Sequence, residues 1–144
     1  MRLDPDQARS WFESARVARL ATVGGDGRPH LVPVTFTVLG AQIVFAVDHK
    51  PKRTRDLRRL RNIAENPEVC FLADGYSEDW DQLWWVRADG VAEVLDPEGE
   101  VAVAGTETAL DALSAKYRQY RTHRPTGPLV RTTVTRWSGW AASS

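Results

Sequence analysis

The chain has 144 residues, 42% of them hydrophobic, and its 19 basic and 19 acidic side chains cancel to a formal net charge of zero. That length and composition predict one domain, residues 1–144, with enough apolar surface for a core, and the balanced charge excludes a global field drawing the protein to nucleic acid or a membrane. Cys70 is the only cysteine, so no disulfide can form within the chain; residues 1–20 carry scattered charges and no apolar leader, and no run approaches bilayer-spanning length, so a cytoplasmic protein is expected.

In chain order, Asp4-Pro5 predicts a helix start with Asp4 as cap, and Ala8, Trp11, Phe12 and Ala15 recur at helical spacing to give it an apolar face. Val17 to Val23 reads as a strand, and Gly24-Gly25-Asp26-Gly27 as a hairpin turn, because a β-run follows it. His30 to Val38 reads as a strand and Gln42 to Val47 as another, folded back on each other across Leu39-Gly40-Ala41. Thr54 to Glu65 reads as a helix with Leu57, Leu60 and Ala64 on one face, closed by Asn66-Pro67 because the residue before proline is pushed out of helical geometry.

Glu68 to Leu72 predicts a strand in which Cys70 is a small buried hydrophobe, and Gly75 to Asp81 a polar loop. Gln82 to Leu95 gives either one long strand bent at Asp89-Gly90 or two strands joined there. Asp96-Pro97 looks like a further helix start, followed by a firmer amphipathic stripe of Leu110, Leu113, Tyr117 and Tyr120. A loop from His123 to Pro128 then leads to a last strand, Val130 to Trp137. Early hairpins without regular βαβ alternation favour an antiparallel barrel flanked by helices, an α+β and mainly β fold, over a doubly wound sheet.

Three histidines, His30, His49 and His123, lack metal-ligand spacing, and the nucleophile-elbow, dinucleotide and Walker patterns are all missing. No metal site is expected. The chemistry concentrates instead after Val47, where Lys50, Lys52, Arg53, Arg55, Arg58, Arg59 and Arg61 follow a strand with Asp56 as the one acid among them. Proline at 51 fixes the chain where strand hands over to helix, and Thr54 can cap that helix while Lys52 and Arg53 face an oxyanion. Six tryptophans add a second signal. Adjacent Trp84 and Trp85 point to opposite faces of one strand, so one of them is expected to leave the monomer core and meet a ligand or another subunit.

The arrangement PHLVPVTF, IVFAVDHKPKRT and LRRLRNI, then DWDQLWWVRADG and a closing RWSGW, resembles the pyridoxamine-phosphate-oxidase-like split β-barrel proteins of actinobacteria, within the flavin and deazaflavin oxidoreductase superfamily. The likeness covers nearly the whole chain and is strongest toward the branch using coenzyme F420, a 5-deazaflavin with a phosphodiester and glutamate tail. It implies a split β-barrel of FMN-binding type, a homodimer with cofactor sites at the subunit interface, and hydride transfer to an unsaturated small-molecule substrate. Carried over by position, Val32, Pro33, Val34 and Thr35 would border the ring; His49, Lys50, Lys52, Arg53 and Thr54 would form the phosphate segment; and Trp85 would come from the second subunit. The catalytic proton donor is not readable, with His49 and Tyr76 the nearest by type and position. FMN is the alternative cofactor, and a non-catalytic binder of a cofactor or tetrapyrrole the alternative role.

Overall fold

The computed structural model describes residues 1–47, 58–95 and 105–143. Helix α1 (Pro5–Ser14) is followed by strands β1 (Ala18–Val23), β2 (Pro29–Val34), β3 (Thr37–Leu39) and β4 (Gln42–Ala46), then helix α2 (Arg58–Glu65) and strands β5 (Glu68–Gly75) and β6 (Trp84–Leu95). Helices α3 (Thr106–Lys116) and α4 (Arg118–Thr122) precede the last strand, β7 (Leu129–Ala141). Helix α1 starts as its sequence dictates: the Asp4 carboxylate accepts from Gln7 N–H, the Gln7 side chain accepts from Asp4 N–H, and Pro5 occupies the first turn, where its missing N–H costs nothing.

The strands form one antiparallel sheet in the order β2-β1-β5-β6-β7-β4-β3. Laid flat, seven strands at about 4.8 Å spacing would hold the outer two roughly 29 Å apart. Yet Val34 ends β2 and Thr37 begins β3, and three residues of chain reach at most about 10 Å. The sheet therefore has to curl until its two edges meet, which makes it a barrel with one seam closed by a connection and not by a ladder. This is the split barrel expected above, with one correction: residues 30–38 are not one strand. The run breaks at Thr35-Phe36, β2 pairs with β1, and only the short β3 pairs with β4 across Gly40, whose φ of +59° suits glycine.

Inside the barrel, Phe12 from α1 stacks against Phe36 with ring centroids 4.7 Å apart and meets Phe71 and Trp137 edge-on at 6.2 and 5.4 Å. Phe45, from β4, meets Phe71 at 6.2 Å. Because side chains alternate along a strand, the same β4 sends Val44 and Ala46 outward, where α3 covers them with Ala109, Leu110 and Leu113 in a second apolar cluster. Strand β4 is thus buried on both faces, which explains its nearly continuous apolar sequence. Helix α2 buries Asn62 and Ile63, while Ala64 is exposed, so the apolar face lies about one residue earlier than expected. Asn62 donates to the buried hydroxyl of Thr22, a polar anchor that hydrophobic spacing does not register.

Strand β6 is continuous, and the irregularity lies in its partner. Asp89 pairs with Arg136 and Gly90 with Val134, leaving Thr135 of β7 as the extra residue, its hydroxyl donating to the Asp89 carbonyl at 3.1 Å. A Cβ at position 90 would lie 2.5 Å from the Thr133 carbonyl oxygen, so glycine is required for this approach. Gly90→Ala is expected to destabilise the fold by about 1–3 kcal/mol, the usual cost of overpacking against backbone, read as a lower urea midpoint at unchanged slope.

Candidate functional site

The break between β2 and β3 is held by two phenols from the far end of the chain. Phe36 N–H donates to the Tyr117 hydroxyl at 3.1 Å, and that hydroxyl donates in turn to the Arg16 carbonyl at 2.8 Å. Tyr117 sits where α3 gives way to α4, with φ −119° and ψ 120°, so the predicted stripe of Leu110, Leu113, Tyr117 and Tyr120 spans two helices. The turn sets the Tyr120 ring edge-on to Tyr117 at 5.8 Å and brings its hydroxyl to 2.8 Å from Thr35 Oγ1.

Between the end of β2 and α4 lies a cleft of about 360 Å³. Pro33, Val34 and Thr35 form one wall, Tyr117, Gln119, Tyr120 and His123 the other, with Ala46 and Arg59 also bordering it. A second lobe of about 260 Å³ shares Ala46, Gln119, Tyr120 and His123 and extends toward Pro125 and Thr126. Ala46 ends β4 and borders the cleft on one side, and Arg59 of α2 borders it on another.

Below the phenols, the Lys116 ammonium lies 3.7 Å from the centre of the Phe36 ring and donates to the Glu13 carbonyl at 3.0 Å. Burial pushes its pKa down to about 8, with the Arg16 charge adding to the effect and Glu13 opposing it. Burial also raises the Tyr117 phenol, against the pull of the Phe36 N–H bond. Tyr117 is therefore a neutral structural hydroxyl with both its bonds taken.

A second surface lies on the outer face of β1, β2, β5 and β6. Cross-strand pairing aligns Leu31, Ala21 and Cys70 in one row and places Leu72 and Trp85 in the next two. These residues line an apolar hollow of about 610 Å³, with Arg19, Arg87 and Asp74 at its polar margin. Leu31 is 67% exposed and Tyr76 71%, large values for apolar bodies bordering one hollow. Cys70 corrects the sequence expectation: it is half-buried on this outer face, while Val69 and Phe71 point into the barrel. Burial raises its thiol pKa, Asp89 adding and Arg87 opposing.

Of the residues singled out from sequence, Pro33, Val34 and Thr35 meet at the cleft, whereas Val32 packs against the core and does not line it. Trp84 and Trp85 do face opposite ways: Trp84 meets Trp11 edge-on at 5.3 Å against the core, and Trp85 lies in the outer hollow, apart from the cleft within one chain. Tyr76 borders that same hollow. His49, Lys50, Lys52, Arg53 and Thr54 fall outside the described residues. Tyr120, Gln119 and His123 were not anticipated. The available signal was the pair of tyrosines in an apolar stripe, since a buried phenol needs a hydrogen-bond partner.

Residues 4–141 match the model of the pyridoxamine 5'-phosphate oxidase family. The chain belongs to that family. Membership makes the protein one of an oxidoreductase family, and among solved structures the chain is similar to an FAD-binding protein of Mesorhizobium loti, with TM-score 0.72 and 19% identity over 96% of this chain and 95% of that one. It is also similar to the heme storage protein HutZ of Vibrio cholerae, with TM-score 0.70 and 17% identity over 98% and 95% of the two chains. In sequence, it is 30% identical over 91 residues to a 5a,11a-dehydrotetracycline/5a,11a-dehydrooxytetracycline reductase of Streptomyces rimosus. That match takes in 62% of this chain and spans 63% of the relative's length. Among the described residues no helix is long and apolar enough to cross a membrane.

The Lys116 environment gives the fold a pH signature. The folded ammonium titrates near 8 and the unfolded one near 10.4, so between those values the unfolded chain binds more protons and this group's contribution to stability rises with pH. Lys116→Met keeps the stem over Phe36 and removes the charge. The difference in denaturation midpoint between variant and wild type is expected to be largest at pH 7, in the variant's favour, and to shrink as pH rises toward 10. Cys70 and Tyr117, whose raised values act in the opposite sense, are present in both proteins and drop out of the comparison.

Proposed function

We propose that this protein is a deazaflavin-dependent oxidoreductase that uses coenzyme F420 to reduce an unsaturated organic substrate. The observation that carries the reading is the position of the cleft. It has a strand end and two tyrosines for walls, and it is bordered by Ala46, four residues in sequence before the first of the clustered cations. A flat, largely apolar ring with an anionic tail needs those two environments adjacent. The reductase relative of Streptomyces rimosus, which acts on an unsaturated polycyclic substrate, supports the same direction of chemistry.

The residues present fit such a group. Strand β2 is an edge strand that pairs with β1 alone among the described residues, so its outer row of backbone groups can border a ring along 32–35. Thr35, Gln119, Tyr120 and His123 supply polar groups toward the cleft. Lys50, Lys52, Arg53 and Thr54, with His49 beside them, would hold the phosphodiester. Arg59 extends the positive wall along the cleft, whereas Arg58 turns away toward Asp26 at 3.7 Å. When bound, the deazaflavin supplies a hydride for two-electron reduction; the chain supplies placement, exclusion of water and charge. Two copies would pair through the apolar outer face, in the symmetric manner of most homo-oligomers, each closing its partner's site with Trp85.

Titration with coenzyme F420 and with FMN, followed by fluorescence, tests the assignment. Coenzyme F420 is expected to bind more tightly than FMN, and Lys52→Ala or Arg53→Ala to weaken it about tenfold to a hundredfold, the loss of one charge-assisted contact. Equal affinity of wild type and Lys52→Ala for the coenzyme would contradict the phosphate site, and tighter FMN binding would make FMN the cofactor. Light scattering at micromolar concentration is expected to give twice the chain mass, and Trp85→Ala to weaken pairing by about 2 kcal/mol. A monomer would remove the interfacial site.

A further inference from the structure

We propose that Lys116 is a self-acylating lysine, whose amine takes the acyl group of a small acyl phosphate held through its phosphate by Arg16. The site stands apart from the cleft and does not depend on the cofactor. Lys116 is the last residue of α3, and its ammonium crosses to α1, where it donates to the Glu13 carbonyl at 3.0 Å and lies 3.7 Å from the centre of the Phe36 ring. Arg16, just beyond α1, donates from Nη2 to the Lys116 carbonyl at 2.7 Å. Both cations lie against one aromatic ring, that of Tyr117, with Arg16 Cζ 4.9 Å and Lys116 Nζ 5.3 Å from its centre. Glu13 sits 3.9 Å from Arg9, and neither Lys116 nor Arg16 forms an ion pair among the described residues.

Two like charges on one ring, with no acid joined to either, favour the loss of one of them. Arginine keeps its charge at any ordinary pH, so Lys116 is the group that yields. A lysine partly desolvated beside another cation is the kind of amine that becomes nucleophilic near neutrality, and a pKa of about 8 agrees with the geometry. The guanidinium supplies the other half of the site. Arg16 carries five N–H donors, and its one hydrogen bond among the described residues goes to the Lys116 carbonyl, so donors remain for phosphate oxygens, which a guanidinium fork matches. An acyl phosphate offers an anionic end to Arg16 and an electrophilic carbon to Lys116. The Nζ lone pair forms a bond to the acyl carbon, the bond from that carbon to the phosphate oxygen breaks, inorganic phosphate leaves with the electron pair, and the amine proton passes to the phosphate or to water. Nothing is oxidised or reduced. The product amide suits its surroundings: it is neutral, it keeps an N–H for the Glu13 carbonyl, and it leaves Arg16 as the single cation on the Tyr117 ring.

The test treats the whole protein with acetyl phosphate and, separately, with the uncharged N-hydroxysuccinimidyl acetate. Nα-acetyl-lysine amide in the same tube is the reference amine, and acetylation is located by peptide mass spectrometry. With the uncharged ester at pH 7, Lys116 is expected to react about tenfold faster than the reference, and its rate to level off above about pH 9 while the reference rate goes on rising toward pH 10. With acetyl phosphate, added inorganic phosphate is expected to protect Lys116 in wild type. Arg16→Gln is expected to slow acetyl phosphate labelling about tenfold, the loss of one charge-assisted contact, and to slow the ester reaction less. A Lys116 rate that tracks the reference amine across the pH range would overturn the inference. So would acetyl phosphate labelling of wild type that is indifferent to inorganic phosphate, a measurement that decides the matter even where Arg16→Gln folds poorly.

Discussion

The hydrogen bond from Phe36 N–H to the Tyr117 hydroxyl decides where β2 ends. Without an acceptor there, a buried backbone donor would be left unpaired at a cost of about 1–3 kcal/mol, and residues 35–36 would have every reason to stay in a ladder. With it, the chain leaves one edge of the sheet and re-enters at the other, and the barrel closes around the Phe12, Phe36 and Phe71 cluster. The same tyrosine ends α3 and positions Tyr120. Closure of the barrel, burial of its core and construction of the cleft are thus three consequences of one contact made between residues 81 apart in sequence.

That contact also marks where sequence reading fails. Helix α1 was legible because Asp4, Pro5 and Gln7 fix it locally, and so was the β3–β4 turn, where Gly40 takes a left-handed conformation. The run 30–38 was not. Its alternation continues through Thr35 and Phe36 with no glycine to punctuate it, and the acceptor that breaks it lies far along the chain. Strand order is similarly remote: nothing near residue 34 tells the chain to pair with β1 on one side and to find β4 across a seam. Cys70 was misplaced for a different reason. A cysteine between valine and phenylalanine reads as a small buried hydrophobe, and only the register with Ala21 and Asp89 shows which face it takes.

Part of the candidate cleft was legible, since Pro33, Val34 and Thr35 line it. The charge cluster after Val47 stands out in a chain of zero net charge, but over residues 48–57 it lies outside the described residues, and Trp85 lies in the outer hollow. The opposite wall of the cleft was not legible, because Gln119, Tyr120 and His123 belong to a five-residue helix and its cap, whose orientation depends on the kink at Tyr117. The two surfaces divide the work by chemistry. The cleft is rich in polar groups and sits beside cations; the outer hollow is apolar, with Leu31, Leu72 and Trp85 across neighbouring strands. A cofactor with a flat ring and an anionic tail suits the first, and another protein surface suits the second.

The central claim is that the cleft at the end of β2 holds the cofactor. Backbone amide spectra of isotopically labelled protein, recorded with and without coenzyme F420, address it residue by residue. The account predicts that the largest shift changes fall at Val34, Thr35, Ala46, Gln119 and Tyr120, with Thr132 and Thr133 unmoved. Changes confined to Leu39, Thr108 and Ala109, which line a separate small hollow under α3, would contradict it.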